Sequence, residues 1–182
     1  KDAAAVFNAL VRHPLEPDER LPFIAELESR PDVVERCLTG SELGDQTVGN
    51  DNTALTYGTM LREMARYEPL CRRIVQSPGF AKMFEYMQAA SFEIASDAAA
   101  SFREILTRHK ALISEYFESN HAVFFGAYNQ MLEKGNYVTR RQSLKLLSEL
   151  LLDRANLSSM LRYIGDVENL CLMMNLLRDE AR

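Results

Sequence analysis

Three segments of this chain repeat one short pattern at nearly constant spacing. Leu61-Arg62-Glu63-Met64, Phe102-Arg103-Glu104-Ile105 and Leu147-Ser148-Glu149-Leu150 share the order large apolar, polar, Glu, large apolar. Each is followed by a basic residue, Arg66, Arg108 or Arg154, and then by a second, shorter apolar helix pattern. The glutamates at 63, 104 and 149 are 41 and 45 residues apart, inside the ~40 to 47 residue period of armadillo and HEAT units. A two- or three-helix unit of that size cannot bury its own apolar face, so neighbours must stack and share a core. This leaves a surface for a partner.

The hydrophobic period agrees. From Ser91, the residues Phe92, Ile94, Ala95, Ala98, Ala99, Phe102, Ile105 and Leu106 recur at three and four, one wide helical stripe. Val138, Leu144, Leu147, Leu150 and Leu151 repeat it. Breaks fall at Glu68-Pro69, Ser77-Pro78-Gly79, Ser119-Asn120, Gly135-Asn136 and Gly165-Asp166. Ser77 before Pro78 predicts a capping hydroxyl with proline at the first helical position. About nine or ten helices of roughly 8 to 18 residues follow, with no strands. The small side chains between Ala89 and Ala100 predict close helix approach.

The expected fold is therefore all-α, an armadillo/HEAT-like helical-repeat solenoid with a right-handed superhelix, in one domain over residues 1–182. The alternative is a globular helical bundle with chance self-similarity. Better-defined repeats are expected over 53–182. Residues 1–52 read as less regular: Lys1 to Arg12 and Leu21 to Arg30 are helical by pattern, His13-Pro14 and Glu16-Pro17-Asp18 mark a turn, and Thr39 to Asn52 is a solvent-exposed loop. Lys1 in place of an initiator Met is read as the start of an excised, truncated fragment.

A net charge of −5 argues against nucleic acid as a partner, because phosphate binding needs clustered Lys and Arg to release counterions. Most of the excess lies in residues 1–51, with 11 acidic against 5 basic side chains. No apolar run approaches the ~18 residues of a membrane span. Cys37, Cys71 and Cys171 are scattered and form no C-x-x-C, which reads as reduced thiols in a cytoplasmic protein.

Signs of catalysis are missing: no G-x-G-x-x-G, P-loop, H-E-x-x-H or G-x-S-x-G is present. His13, His109 and His121 lie far apart and are expected at the surface or at helix ends. Asp45, Asn50 and Asp51 lack the order and closing Glu of a calcium loop. The chain is expected to be no enzyme and to carry neither metal nor cofactor. Two features remain. Arg141 and Lys145 are four apart with Ser148 three further, one polar stripe beside a buried stripe of Leu144, Leu147 and Leu151. Met173 and Met174 lie on a later helix. The default reading of the polar stripe is a solvated face; the alternative is a clamp for a partner's carboxylate.

The strings TMLREMARYEPL (59–70), SFEIASDAAASFREILTRHKAL (91–112) and NYVTRRQSLKLLSELLLDRANLSSMLRYIGDVENLCLMMNLLR (136–178) resemble the calcium-binding protein 39 family, also called mouse protein 25, in the same order and spacing. The resemblance runs from about residue 52 to residue 178; before that it rests on Asp2 to Asn8. It implies a non-catalytic armadillo-like horseshoe that binds sterile-twenty-type germinal-centre kinases or their pseudokinase adaptor, holds them in a closed, active-like conformation, and promotes polarity and growth signalling. It also implies a hydrophobic pocket for a short Trp-Glu-Phe tail, with Arg141, Lys145 and Met174 at matching positions and Arg154 at a further interface arginine. Leu157 stands where the family has an aromatic interface residue, and Cys171 replaces a lysine near the pocket. The family continues through further helices beyond the position of Arg182. A generic armadillo-type adaptor for a non-kinase partner is the alternative.

Overall fold

The computed structural model describes residues 2–12, 22–40 and 51–180, and among them every element is helical, with no strand. The expected turns at 13–18 and most of the loop at 39–52 lie outside the described residues. The chain divides into two compact units, Lys1–His109 and Lys110–Arg182.

In the first unit, helices α1 (Asp2–Arg12), α2 (Pro22–Ser29), α3 (Pro31–Thr39) and α4 (Asp51–Met64) precede α5 (Glu68–Gln76). A 3-10 turn (Pro78–Lys82), the single-turn α6 (Met83–Tyr86) and the long α7 (Phe92–Arg108) complete it. Proline opens several of these elements, at Pro31, Pro69 and Pro78, where its missing N–H has no intrahelical partner to lose. Helix α3 is absent from the sequence reading, although Pro31 and Asp32 are a helix-start signal. The Ser77 hydroxyl does not cap the turn that follows: it donates to the Glu35 carboxylate, which also accepts from the Gly79 backbone N–H at 3.2 Å. A charged acceptor brought in from α3 outcompetes the local backbone.

The repeated pattern marks the core. Leu61 and Met64 on α4, and Phe102 and Ile105 on α7, are all buried. Phe102 lies against Phe80 and Phe84, with centroids 5.5 and 5.1 Å away. Helices α4 and α7 approach so closely that a Cβ on Gly58 would sit 1.8 Å from Asp97 Oδ2. Arg62 reaches across that seam to Asp97 Oδ1 and to Ser101 Oγ, both at 2.7 Å. Glu63, by contrast, is buried and accepts from Arg12 Nε and Nη2 at 2.8 and 2.5 Å. The Arg12 hydrogen bonds hold its carboxyl below the usual range against the opposing effect of burial. Burial also pushes the Cys37 and Cys71 thiols up to about 12.

The second unit is built on α8 (Lys110–Lys134), which kinks at Asn120 (φ −122°, ψ 19°). The break expected at Ser119-Asn120 is thus a bend inside one 25-residue element. Helix α9 (Tyr137–Leu152), a 3-10 turn (Arg154–Asn156), α10 (Leu157–Ile164) and α11 (Val167–Glu180) pack around it. Phe117, Phe124, Phe125 and Tyr128 form an aromatic ridge on α8. His121 is buried in that ridge, 4.6 Å from the Phe125 ring, with Nε2 at 3.1 Å from the Ser159 carbonyl oxygen. It is neither a surface nor a helix-end residue: it packs inside the second unit against Phe125. His109 does sit at the end of α7, where Nε2 meets the Ala65 carbonyl oxygen at 2.9 Å.

On α9 the buried positions are Thr139, Ser143, Leu146, Leu147 and Leu150. Leu144 and Leu151 are half-buried and Val138 is exposed, so the buried stripe lies further round the helix than its leucines suggest. The cause is tertiary: Tyr128 donates to the Ser143 carbonyl at 2.8 Å, and the Thr139 and Ser143 flank of α9 lies buried with it.

Two outcomes follow for the first unit. Phe102→Ala should cost about 3–5 kcal/mol in urea unfolding, because the site is closed on every side. Since the carboxyl of Glu63 is depressed in the fold, its pairing stabilises above the unfolded value and is lost as pH falls through the folded one. Glu63→Gln should therefore flatten the loss of the urea midpoint seen below about pH 4.

Candidate protein-binding site

The residues singled out in the sequence all fall in the second unit, and all five are exposed. Asn136 starts α9 by accepting the Thr139 N–H on its side chain at 2.9 Å. Arg140 fixes the same end, donating to the Leu132 and Glu133 carbonyls at 3.0 and 3.1 Å; a cation on the last carbonyls of α8 is favoured by their partial charge. The next residue, Arg141, donates to the Tyr137 hydroxyl at 3.2 Å. Lys145 lies one turn on and has no hydrogen bond or ion pair among the described residues. Arg141 and Lys145 thus share one solvent-facing side of α9.

Arg154 and Leu157 share the connection from α9 to α10, which is tightly held. Asp153 accepts from the Ala155 N–H at 3.0 Å and pairs with Lys110 at 2.7 Å. The Lys110 contact holds the Asp153 carboxyl below its ordinary value. Asn156 Nδ2 donates to the Leu150 carbonyl at 2.9 Å, and Ser114 Oγ to the Ala155 carbonyl at 2.6 Å. These bonds turn inward, and the Arg154 and Leu157 side chains are left outside.

Met174 belongs to a third element, α11. Its helix is pinned by Asn169, whose Nδ2 donates to the Tyr163 carbonyl at 2.9 Å and whose Oδ1 accepts from Asn129 at 2.6 Å. Tyr163 in turn donates to Asn129 at 2.8 Å, and burial followed by the Asp166 charge pushes its phenol up to about 12. Helix α10 packs against both α9 and α11, and no hydrogen bond links Met174 to the cationic pair among the described residues.

An extended apolar surface accompanies these positions. Leu157, Leu161 and Ile164 recur at i, i+4 and i+7 on α10, and Val167, Leu170, Met174 and Leu177 at i, i+3, i+7 and i+10 on α11, all exposed. Met174 is 70% and Leu177 68% exposed. Two adjacent helices with outward apolar stripes are a place for another apolar surface. Leu161, Leu170 and Leu177 were not singled out in the sequence, although the i, i+3/i+4, i+7 spacing was visible; spacing alone does not say which stripe faces the core. Cys171 is also exposed on α11. Two exposed cations thus stand on α9, and exposed apolar side chains on α10 and α11. Among the described residues no three His, Cys, Asp or Glu side chains are placed to hold a metal ion. Nor is any described helix long and apolar enough to cross a membrane.

The sequence matches the family described as Mo25-like over residues 1–182. Calcium-binding protein 39-like of Mus musculus is 43% identical over 181 residues, covering 100% of this chain and 51% of the relative. MO25-like protein 2 of Caenorhabditis elegans is 44% identical over 182 residues, with 100% and 51% covered. Mo25-like protein of Schizosaccharomyces pombe is 39% identical over 182 residues, with 100% and 53% covered. The chain spans about half the length of the curated relatives it matches.

Exposure separates binding from folding at these positions. Lys145→Ala and Met174→Ala should each leave the urea unfolding free energy within about 0.5 kcal/mol of wild type, whereas Leu147→Ala, on the same helix as Lys145 but buried, should cost about 2–5 kcal/mol.

Proposed function

Because this chain belongs to the Mo25-like family, a helical-repeat family, we propose that it is a non-catalytic scaffold that grips a protein kinase or pseudokinase of the sterile-twenty-related type. Binding is assigned to α9, α10 and α11. Arg141 and Lys145 neutralise the Glu of a Trp-Glu-Phe-like tail, Arg as a fixed fork of donors and Lys as a mobile point charge. Met174 and its apolar neighbours take the flanking rings, since the thioether packs adaptably on aromatic faces. Arg154 and Leu157 contact the folded part of the partner. The aliphatic Leu157 and the thiol of Cys171 tune which partner is held.

The observation that carries this reading is that the cationic pair and the methionine are exposed on helices held from within by the Asn156 and Asn169 side-chain amides. Activation follows from preference. A scaffold that binds the closed arrangement of a kinase better than the open one shifts the population toward it by the difference in affinity, and needs no bond-making of its own. Signalling in cell polarity and growth is the role such activation serves.

A fluorescently labelled peptide ending in Trp-Glu-Phe is expected to bind the chain in an anisotropy titration. Arg141→Ala/Met174→Ala should weaken it by about tenfold or more, the loss of one charge-assisted contact and one packed ring. Equal affinity of the double variant and wild type would falsify the assignment.

A further inference from the structure

A cleft of about 370 Å³ in the first unit has no role in the reading above. It is bounded by α1, α4 and α7, and Arg12, Arg62, Arg66 and Arg108 line it together with Glu63 and Glu104. Arg62 is committed to Asp97 at 2.7 Å, and Arg108 pairs with Glu104 one turn before it on α7. Glu63 serves two arginines. It takes both short bonds of Arg12, and Arg66 reaches it only through Nη1, at 3.4 and 3.5 Å. Four guanidiniums therefore meet three carboxylates. The surplus positive charge sits at Arg12, Glu63 and Arg66, where the side chains of Arg12 and Arg66 are 58% and 45% exposed. Arg66 keeps its other donors unused among the described residues, and a guanidinium offers five in a fixed fork.

Beside them, Asn8 lines the same cleft, and its buried Oδ1 has no hydrogen-bond partner among the described residues. Turned by 180° about its last bond, the amide would present Nδ2 instead, since the two orientations are interchangeable in shape. In that orientation the amide would add N–H donors to the same cleft that the unused donors of Arg66 line.

We propose that this cleft is a carboxylate subsite that receives an Asp or Glu side chain from an acidic segment of a protein partner. Charge selects the ligand. One surplus positive charge matches a carboxylate, whereas a phosphate brings about −1.5 to −2 at neutral pH and would leave negative charge beside Glu63 and Glu104. A nucleic acid is disfavoured further by the net charge of −5. The site stands on residues separate from Arg141, Lys145 and Met174, so it survives or fails independently of the tail pocket.

The test is an anisotropy titration with three labelled peptides that share a Gly-Ser frame and carry two Glu, two Gln or two phosphoserine residues. The Glu peptide is expected to bind, the Gln peptide to bind about tenfold more weakly, and Arg66→Ala/Arg108→Ala to lose a similar factor for the Glu peptide alone. Arg162→Ala, which removes a cation from α10, should change nothing. Equal binding of the Glu and Gln peptides, no binding of the Glu peptide, or unchanged affinity in the double variant each overturns the subsite. Tighter binding of the phosphoserine peptide overturns the carboxylate assignment. If the double variant is unfolded by circular dichroism, Arg66→Gln alone is read by the same criteria.

Discussion

Apolar faces too wide for any one neighbour to cover are the constraint on which this protein depends. On α7, Phe102, Ile105 and Leu106 are fully buried only because α4 closes one side and the Pro78–Lys82 turn with α6 closes the other. On α8 the aromatic ridge from Phe117 to Tyr128 is divided among α9, α10 and α11. Each large side chain removed from water contributes about 1.5–3 kcal/mol, so several such contacts together offset the entropy of ordering the helices.

The same constraint decides where function can reside. Buried polar groups are spent on holding helices to one another: Tyr128 on the Ser143 carbonyl, Asn156 on the Leu150 carbonyl, Asn169 on the Tyr163 carbonyl. These bonds fix the rotation of α9, α10 and α11 about their own axes. Once the rotation is fixed, the face of each helix that meets solvent is fixed with it. Arg141, Lys145, Leu157 and Met174 are outside because Ser143, Asn156 and Asn169 are inside. The backbone that carries these side chains is thereby set by the fold, which would lower the entropic cost of binding.

Charge obeys a parallel logic along the repeat. The Glu of the repeated pattern is buried at 63, half-buried at 104 and exposed at 149. Identical sequence positions thus meet three environments. At 63 a preceding helix, α1, brings an arginine across to enclose the carboxylate. The repeat supplies the ion pair with its following base, Arg66 to Glu63 and Arg108 to Glu104; the neighbour in space supplies the burial.

The sequence by itself determined that the chain is helical and where most helices begin and end, because period, proline and glycine act within a few residues. It also determined the family, through three long strings in fixed order. Only the tertiary structure decided the rest. Which flank of α9 turns inward, whether Ser77 caps its own turn or bonds Glu35, and whether His121 meets solvent or Phe125 all depend on groups tens of residues away. A buried donor goes to the strongest acceptor within reach, and reach is a property of the packed helices rather than of the local sequence.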